Sequence, residues 1–167
     1  QSWVGTDVNA LMSEHLGRPV VPLNDADAAG IAEVAYGAAK DAKGVVVFTT
    51  QGTGIGSAII VDGRLMTNTE LGHLELDGHD AEKRASSGQK TLQGLDWAQW
   101  AERLQRYYSH VEMLLSPDLF VVGGGVSENA DKFMPLLKLR TPMIPAKLLN
   151  TAGIVGAAYY AANHQSR

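Results

Sequence analysis

The chain has 167 residues, 45% of them hydrophobic, which is enough for one domain with its own core and excludes a disordered polypeptide. It has no cysteine, so disulfide scaffolds, Cys-ligated zinc and thiol catalysis are excluded together, and a cytoplasmic location fits. Fourteen Lys and Arg against 18 Asp and Glu give a net charge of −4, so no global basic field points to nucleic acid, and no apolar run is long enough to make a membrane a partner.

The start, Gln1-Ser2-Trp3-Val4, has neither the basic segment nor the apolar core of a signal peptide, and no initiator Met. Thr6 or Asp7 predicts a helix cap, followed by Val8, Leu11, Met12 and Leu16 at helical spacing and a stop at Gly17. Pro19-Val20-Val21-Pro22-Leu23 reads as a short strand closed by Asn24-Asp25, and residues 26–39 as an Ala-rich helix. Gly44 opens the β-branched run Val45-Val46-Val47-Phe48-Thr49-Thr50, expected to be buried on both faces. Gly52-Thr53-Gly54-Ile55-Gly56 reads as a turn, residues 57–61 as the next strand and Asp62-Gly63 as a hairpin signal. Residues 64–95 read as a long irregular loop rich in Gly, His and acids. A long helix follows, with Trp97, Trp100, Leu104, Tyr107, Tyr108, Val111, Leu114 and Leu115 as its core stripe. Pro117-Asp118 ends it, and residues 119–122 form a strand that runs into Gly123-Gly124-Gly125. Ser127 predicts the cap of another helix, with Glu128 in its first turn, and residues 152–162 a final helix after Pro142 and Pro145. Ile154, Val155, Ala158 and Tyr159 form the apolar stripe of that helix. Alternating strands and helices make the class α/β.

Three loops that follow strands carry candidate chemistry, and in open α/β sheets ligands bind beyond the C-terminal strand ends. The Asp25 carboxylate can accept a proton from a substrate hydroxyl that Asn24 orients, although Asn and Asp are also ordinary helix caps. Gly52, Thr53 and Gly54 let backbone N–H groups and a hydroxyl reach phosphate oxygens, although the same residues make a tight β-turn. Gly123, Gly124 and Gly125 allow close approach of a flat or anionic ligand at a helix start. They resemble half of a dinucleotide fingerprint, but residues 140–150 lack the ribose-binding acid. Glu70-Leu71-Gly72-His73, then Glu75, Asp77, His79, Asp80 and Glu82, lack the spacing of a zinc site and suit the gripping of sugar hydroxyls or a solvated acidic loop. Lys83, Arg84 and Lys90 are the main basic group there, a solvated face or a grip for a polyanion.

Taken in order, these motifs resemble the C-terminal part of the ROK sugar kinases, which share the hexokinase–actin-like, ribonuclease H-like fold. Asn24-Asp25 matches the family's hexose-binding Asn and catalytic Asp. Gly52-Thr53-Gly54-Ile55-Gly56 matches its second phosphate motif, Glu70-Leu71-Gly72-His73 its ExGH sugar motif, Val122-Gly123-Gly124-Gly125 its adenosine motif, and Glu82 a later sugar-binding Glu. The segment between His73 and Glu82 lacks the zinc-loop cysteines of many members, which resembles a polyphosphate-using branch, as do Ser116-Pro117-Asp118-Leu119, Leu137-Lys138-Leu139-Arg140-Thr141-Pro142 and the stretch from Asn150 to Ala158. Gln51 departs from the apolar residue the family tends to place before Gly-Thr-Gly. The resemblance implies phosphoryl transfer from polyphosphate or ATP, with Mg²⁺ and no zinc, to the 6-hydroxyl of glucose, and a homodimer. It implies Asp25 as base, Asn24, Glu70, His73 and Glu82 on the sugar, and Gly52, Thr53, Gly54, Gly123, Gly124 and Gly125 at the donor. The family's first phosphate motif, Asp-x-Gly-Gly-Thr on an N-terminal lobe, is not in this sequence, so residues 1–167 are expected to be the C-terminal catalytic and sugar-binding lobe without that partner lobe. An ATP-dependent glucokinase or mannokinase, or the sugar-sensing domain of a ROK repressor, are the other outcomes the resemblance allows.

Overall fold

The computed structural model describes residues 3–164, so Gln1 and Ser2 of the N-terminal reading lie outside the described residues. Helix α1 (Val8–Leu16) is capped by Asp7, whose Oδ1 accepts the Ala10 N–H at 3.0 Å, and ends on Gly17 at φ 61°. It buries none of its residues. Residues 19–23 form no strand: Pro19 and Pro22 lack the N–H groups a ladder needs. Helix α2 (Asp25–Ala35) starts on the Asn24 cap and stops four residues before the expected end. The Glu33 carboxylate takes the Ala38 N–H at 2.6 Å in place of a helical carbonyl.

Strand β1 (Val45–Gln51) is the β-branched run, and β2 (Ile55–Val61) begins two residues earlier than expected. Asp62 and Gly63, both at positive φ, turn the chain into β3 (Arg64–Met66). The expected loop over 64–95 is ordered in short pieces. A 3₁₀ turn (Leu71–His73) leads to the hairpin of β4 (Glu75–Leu76) and β5 (His79–Asp80), then α3 (Glu82–Ala85) and α4 (Ser87–Leu92). Such elements are too short to show a period in sequence.

Helix α5 (Trp97–Leu115) opens on a capping box between Asp96 and Gln99 and buries Trp100, Leu104, Tyr107, Tyr108 and Val111. Leu114 lies off that stripe and is 52% exposed. Strand β6 (Leu119–Gly123) follows. Ser127 caps no α-helix: its Oγ donates to the Gly124 carbonyl at 2.8 Å, and residues Gly125–Asn129 form a 3₁₀ turn before the short α6 (Ala130–Phe133). Strand β7 (Met143–Pro145), not anticipated, and α7 (Ala152–His164) complete the chain.

The sheet order is β3-β2-β1-β6-β7, antiparallel through β1 and parallel from β1 to β7. Alternation sorts its side chains onto two cores. Val47, Phe120 and Val122 join Trp100, Leu104 and Tyr108 under α5, while Val46, Phe48, Val121 and Ile60 face α2 and α7. Gly156 of α7 meets the backbone of Ala28 in α2, and Tyr159 packs edge-on against Tyr36 at 5.6 Å, but Ile154 of the same helix is 78% exposed. Helices on both faces of a mixed sheet give a three-layer α/β fold. Among the described residues no helix is long and apolar enough to cross a membrane.

Candidate active site

Thr50 pairs with Gly123, so parallel β1 and β6 end side by side. Beyond those ends, at the start of α2, lies a cleft of about 470 Å³. It is lined by Asn24, Asp25, Thr50, Gln51, residues 52–56, Glu70, Glu82, Gly124 and Gly125. Three loops distant in sequence therefore meet where the topology of open sheets puts ligands.

Asn24 is a helix cap as well as a cleft residue. Its Oδ1 accepts the N–H groups of Ala26 at 2.8 Å and Asp27 at 3.3 Å, which fixes the side chain and leaves its amide nitrogen for a ligand. Asp25, the first residue of α2, is exposed, with Oδ1 accepting the Ala26 N–H at 2.7 Å. Asp27, two residues further into the helix, is fully buried. Its Oδ2 accepts the Asn68 N–H at 2.8 Å, and its Oδ1 has no partner among the described residues. Burial raises its pKa; the Asn68 bond works against that, and the nearby charges of Glu70 and Asp25 add to it. Through Asn68 this carboxyl ties the segment carrying Glu70 to the helix carrying Asp25. Ser57 secures the same segment from β2: its Oγ donates to the Thr69 carbonyl at 2.7 Å and accepts the Leu71 N–H at 2.9 Å.

The glycine turn is braced from α3 and α4. Glu82 accepts the Ile55 N–H at 3.2 Å, and a Cβ on Gly54 would collide with the Glu82 carboxylate. The Gly52 carbonyl accepts the Gly88 N–H at 2.8 Å and the Ser87 hydroxyl at 3.1 Å. The Gly52 N–H is already bonded to the Gly54 carbonyl at 3.0 Å. The turn therefore offers an anion the N–H groups of Thr53 and Gly54 and the Thr53 hydroxyl, not the N–H of Gly52.

Of the site residues expected from sequence, the structure brings together all but two. His73 is exposed outside the cleft, with Nδ1 3.5 Å from Asp80. Gly123 ends β6 as a buried residue against the Phe48 ring and does not line the cleft. Sequence reasoning missed Asp27 and the polar layer under the turn. There Gln51, 1% exposed, donates from Nε2 to the Tyr108 hydroxyl at 3.4 Å, which also bonds Thr49 Oγ1 at 2.7 Å. Burial pushes the Tyr108 phenol up to about 12, with the Thr49 and Gln51 bonds opposing, so it stays protonated. Gln51 at the end of an apolar strand was the visible signal; Tyr108, lying on an apolar stripe, offered none.

The chain is 52% identical over 159 residues to a polyphosphate glucokinase of Mycobacterium tuberculosis, a match that covers 95% of this chain and 60% of that relative. The crystal structure of an inorganic polyphosphate/ATP-glucomannokinase from Arthrobacter sp. strain KM superposes with a TM-score of 0.92 at 57% identity, covering 99% of this chain and 65% of that one. A ROK family glucokinase from Streptomyces griseus, solved with glucose and AMPPNP, shares the fold with a TM-score of 0.78 at 21% identity, covering 93% and 72% of the two chains. The chain thus spans under two thirds of the length of the first two. The sequence model of the ROK family matches residues 1–92, more than half of the chain, and the chain belongs to the ROK family.

Proposed function

We propose that this chain is the C-terminal, sugar-binding lobe of a kinase that moves a phosphoryl group from inorganic polyphosphate or ATP to the 6-hydroxyl of glucose. The observation that carries the reading is the convergence of Asn24-Asp25, the Thr53-Gly54 turn, Glu70, Glu82 and Gly124-Gly125 on one cleft. The names of the Mycobacterium and Arthrobacter relatives support it. In this reading the exposed Asp25 carboxylate takes the proton of the attacking hydroxyl, which the free amide of Asn24 orients. Glu70 and Glu82 accept hydrogen bonds from other sugar hydroxyls. The N–H groups of Thr53 and Gly54 stabilise charge on the transferred phosphoryl, a reaction in which positioning and electrostatics supply most of the rate. Gly124 and Gly125 border the donor. His73, outside the cleft, has no role in this reading.

Mg²⁺ fits this arrangement as an ion that arrives with its donor. It is usually held by one or two carboxylates, waters and substrate phosphates rather than by a protein cage. The cleft offers separate carboxylates, Asp25, Glu70 and Glu82. Such an ion neutralises charge on the donor oxygens. The part of the relatives that this chain does not match corresponds, in this reading, to the lobe that carries the first phosphate motif and closes over the cleft.

The test is glucose 6-phosphate formation from long-chain polyphosphate without nucleotide, and separately from ATP, with the unmatched segment of the Arthrobacter relative supplied in trans. Both donors should support product, and the added segment should raise the rate well above that of the chain alone, because closure holds the reactants in line. Product from ATP alone would make this an ATP-dependent kinase, and no product from either donor would sink the reading. Mannose belongs in the same assay as a second acceptor, because the Arthrobacter relative is named a glucomannokinase.

A further inference from the structure

Two lysines lie over one indole, on helices that adjoin segments lining the cleft. Lys90 Nζ is 4.2 Å from the centroid of the Trp97 ring, and Lys132 Nζ is 5.5 Å from the same centroid. They belong to different elements. Lys90 belongs to α4, whose Ser87 and Gly88 hold the Gly52 carbonyl of the glycine turn. Lys132 belongs to α6, reached from Gly124 and Gly125 through the 3₁₀ turn that Ser127 fastens to the Gly124 carbonyl. Trp97 is a fixed platform: it stacks on Phe133 at 6.2 Å and 14° and meets Trp100 edge-on at 5.9 Å.

Neither ammonium is in an ion pair: the four among the described residues involve His73, Lys83, Arg106 and Arg140. The Lys132 ammonium donates to Asn129 Oδ1 at 2.7 Å, a neutral partner. An exposed cation–π contact contributes about 0.5–1 kcal/mol. That holds one ammonium on a ring but gives no reason to bring two like charges to it in a chain of net charge −4. A multiply charged anion would supply one. The other basic residues of this region are occupied differently: Lys83 pairs with Glu82 at 3.6 Å, and Arg84 lines a separate hollow with Asp77, Asp80 and Arg106.

We propose that Lys90 and Lys132, seated on Trp97, form an outer anion subsite of the donor cleft that takes the distal phosphates of a polyphosphate chain. The proposal rests on the polyphosphate reading above and adds where the untransferred end of that donor is held. Ammonium groups on flexible stems read charge rather than a fixed geometry, which suits a repeating chain bound in many registers.

Equilibrium binding of the 167-residue chain to long-chain polyphosphate and to tripolyphosphate, over a range of salt, tests it. The Lys90→Gln/Lys132→Gln double variant should bind the long chain about tenfold more weakly at low salt. The slope of log affinity against log salt should fall by about one per lysine. Tripolyphosphate, engaged at the inner cleft, should change by less than about twofold. The control is Lys40→Gln/Lys43→Gln, which removes the same charge before the start of β1, at the sheet end remote from the cleft. It should leave long-chain binding within about twofold. The subsite is overturned if the first double variant binds the long chain as the parent does, if both double variants weaken it equally, or if tripolyphosphate loses as much as the long chain. Lysine-dependent binding without transfer to sugar would sink the kinase reading and keep the subsite. Polyphosphate-driven transfer with unchanged binding by the double variant would do the reverse, and a parent that binds no long-chain polyphosphate would overturn the subsite.

Discussion

Gly124 and Gly125 are neighbours in one motif, yet the fold needs only one of them to be glycine. Gly124 sits at φ 82° and ψ 170°, a region essentially closed to other residues, where a non-glycine costs about 1–3 kcal/mol. A Cβ there would also stand 2.8 Å from the Gln51 N and 3.0 Å from its carbonyl carbon, so β1 would have to move. Overpacking of this kind costs a further ~1–3 kcal/mol. Gly124→Ala should therefore lose about 2–6 kcal/mol. At roughly 2.1 cal/mol/K per residue the chain has an unfolding entropy near 0.35 kcal/mol/K, so the melting midpoint should fall by about 6–17 °C. Gly125 has no heavy atom within 4 Å of the point a Cβ would occupy, and a φ open to any residue. Gly125→Ala should match the parent in stability or gain about 0.4–1 kcal/mol from lost freedom in the unfolded chain. Its effect should fall on the donor, whose Michaelis constant should rise because a methyl group now projects from the cleft wall. Thermal melts by circular dichroism and donor titrations at saturating sugar read the two effects. If Gly124→Ala melts with the parent, or Gly125→Ala loses stability while donor affinity holds, the division of labour between these glycines is wrong.

The other expectations concern acids and metal. Asp25→Asn should keep the fold, because Asn24 caps α2, and should lower turnover at least ~10²-fold with little change in sugar affinity; retained turnover would leave Asp25 as the opening residue of a helix and nothing more. The Asp27 carboxyl has its pKa raised by burial, so its contribution to stability is present below the unfolded value of 3.8 and lost as pH rises through the folded value. Asp27→Asn cannot ionise, so its melting midpoint relative to the parent should climb between pH 3.5 and 7, and a difference independent of pH would refute that account. The segment between Glu70 and Glu82 is closed by the β4–β5 hairpin, buried Leu76 and the paired contacts of Arg106 with Asp77 at 2.9 and 3.2 Å. Elemental analysis after chelator washing should find no stoichiometric zinc, and one zinc per chain would refute the reading of this segment as lacking a zinc loop.

How much of this was legible follows from the length of each signal. The run from Val45 to Thr50 showed itself because a strand buried on both faces cannot carry a polar residue in alternation, and its neighbours β2 and β6 followed from Asp62-Gly63 and the three glycines. Helix α5 announced itself over 19 residues. Strand β7 has three residues, flanked by Pro142 and ending on Pro145, and only its position at the sheet edge tolerates them. Among the bonds that hold the pieces between 64 and 95 are Asp27 to Asn68 and Arg106 to Asp77, whose partners lie 41 and 29 positions away, and no local pattern encodes such a pairing. In the site, residue type announced which groups could do chemistry. It did not announce which donors were already spent: the Gly52 N–H is used inside its own turn, and the His73 ring faces Asp80.

The acids of this half of the molecule divide by what their oxygens meet. Glu33 is fully buried and accepts the N–H groups of Ala38, Lys147 and Leu148 at 2.6, 2.9 and 2.7 Å, so it joins the end of α2 to the chain after β7. Glu82 spends one oxygen on the Ile55 N–H, and Asp27 one on that of Asn68. Each of these bonds a backbone group on a different element, and each therefore fixes a loop that carries a cleft residue or the helix behind it. Asp25 and Glu70 remain exposed at the cleft. A carboxylate that must move a proton or follow a sugar hydroxyl needs a free oxygen, and it needs to be held still by something else. The buried acids supply that second requirement. On the proposed reading Asp27, which does not line the cleft, is a positioning residue: with Ser57 it holds the segment that carries Glu70 against the helix that presents Asp25.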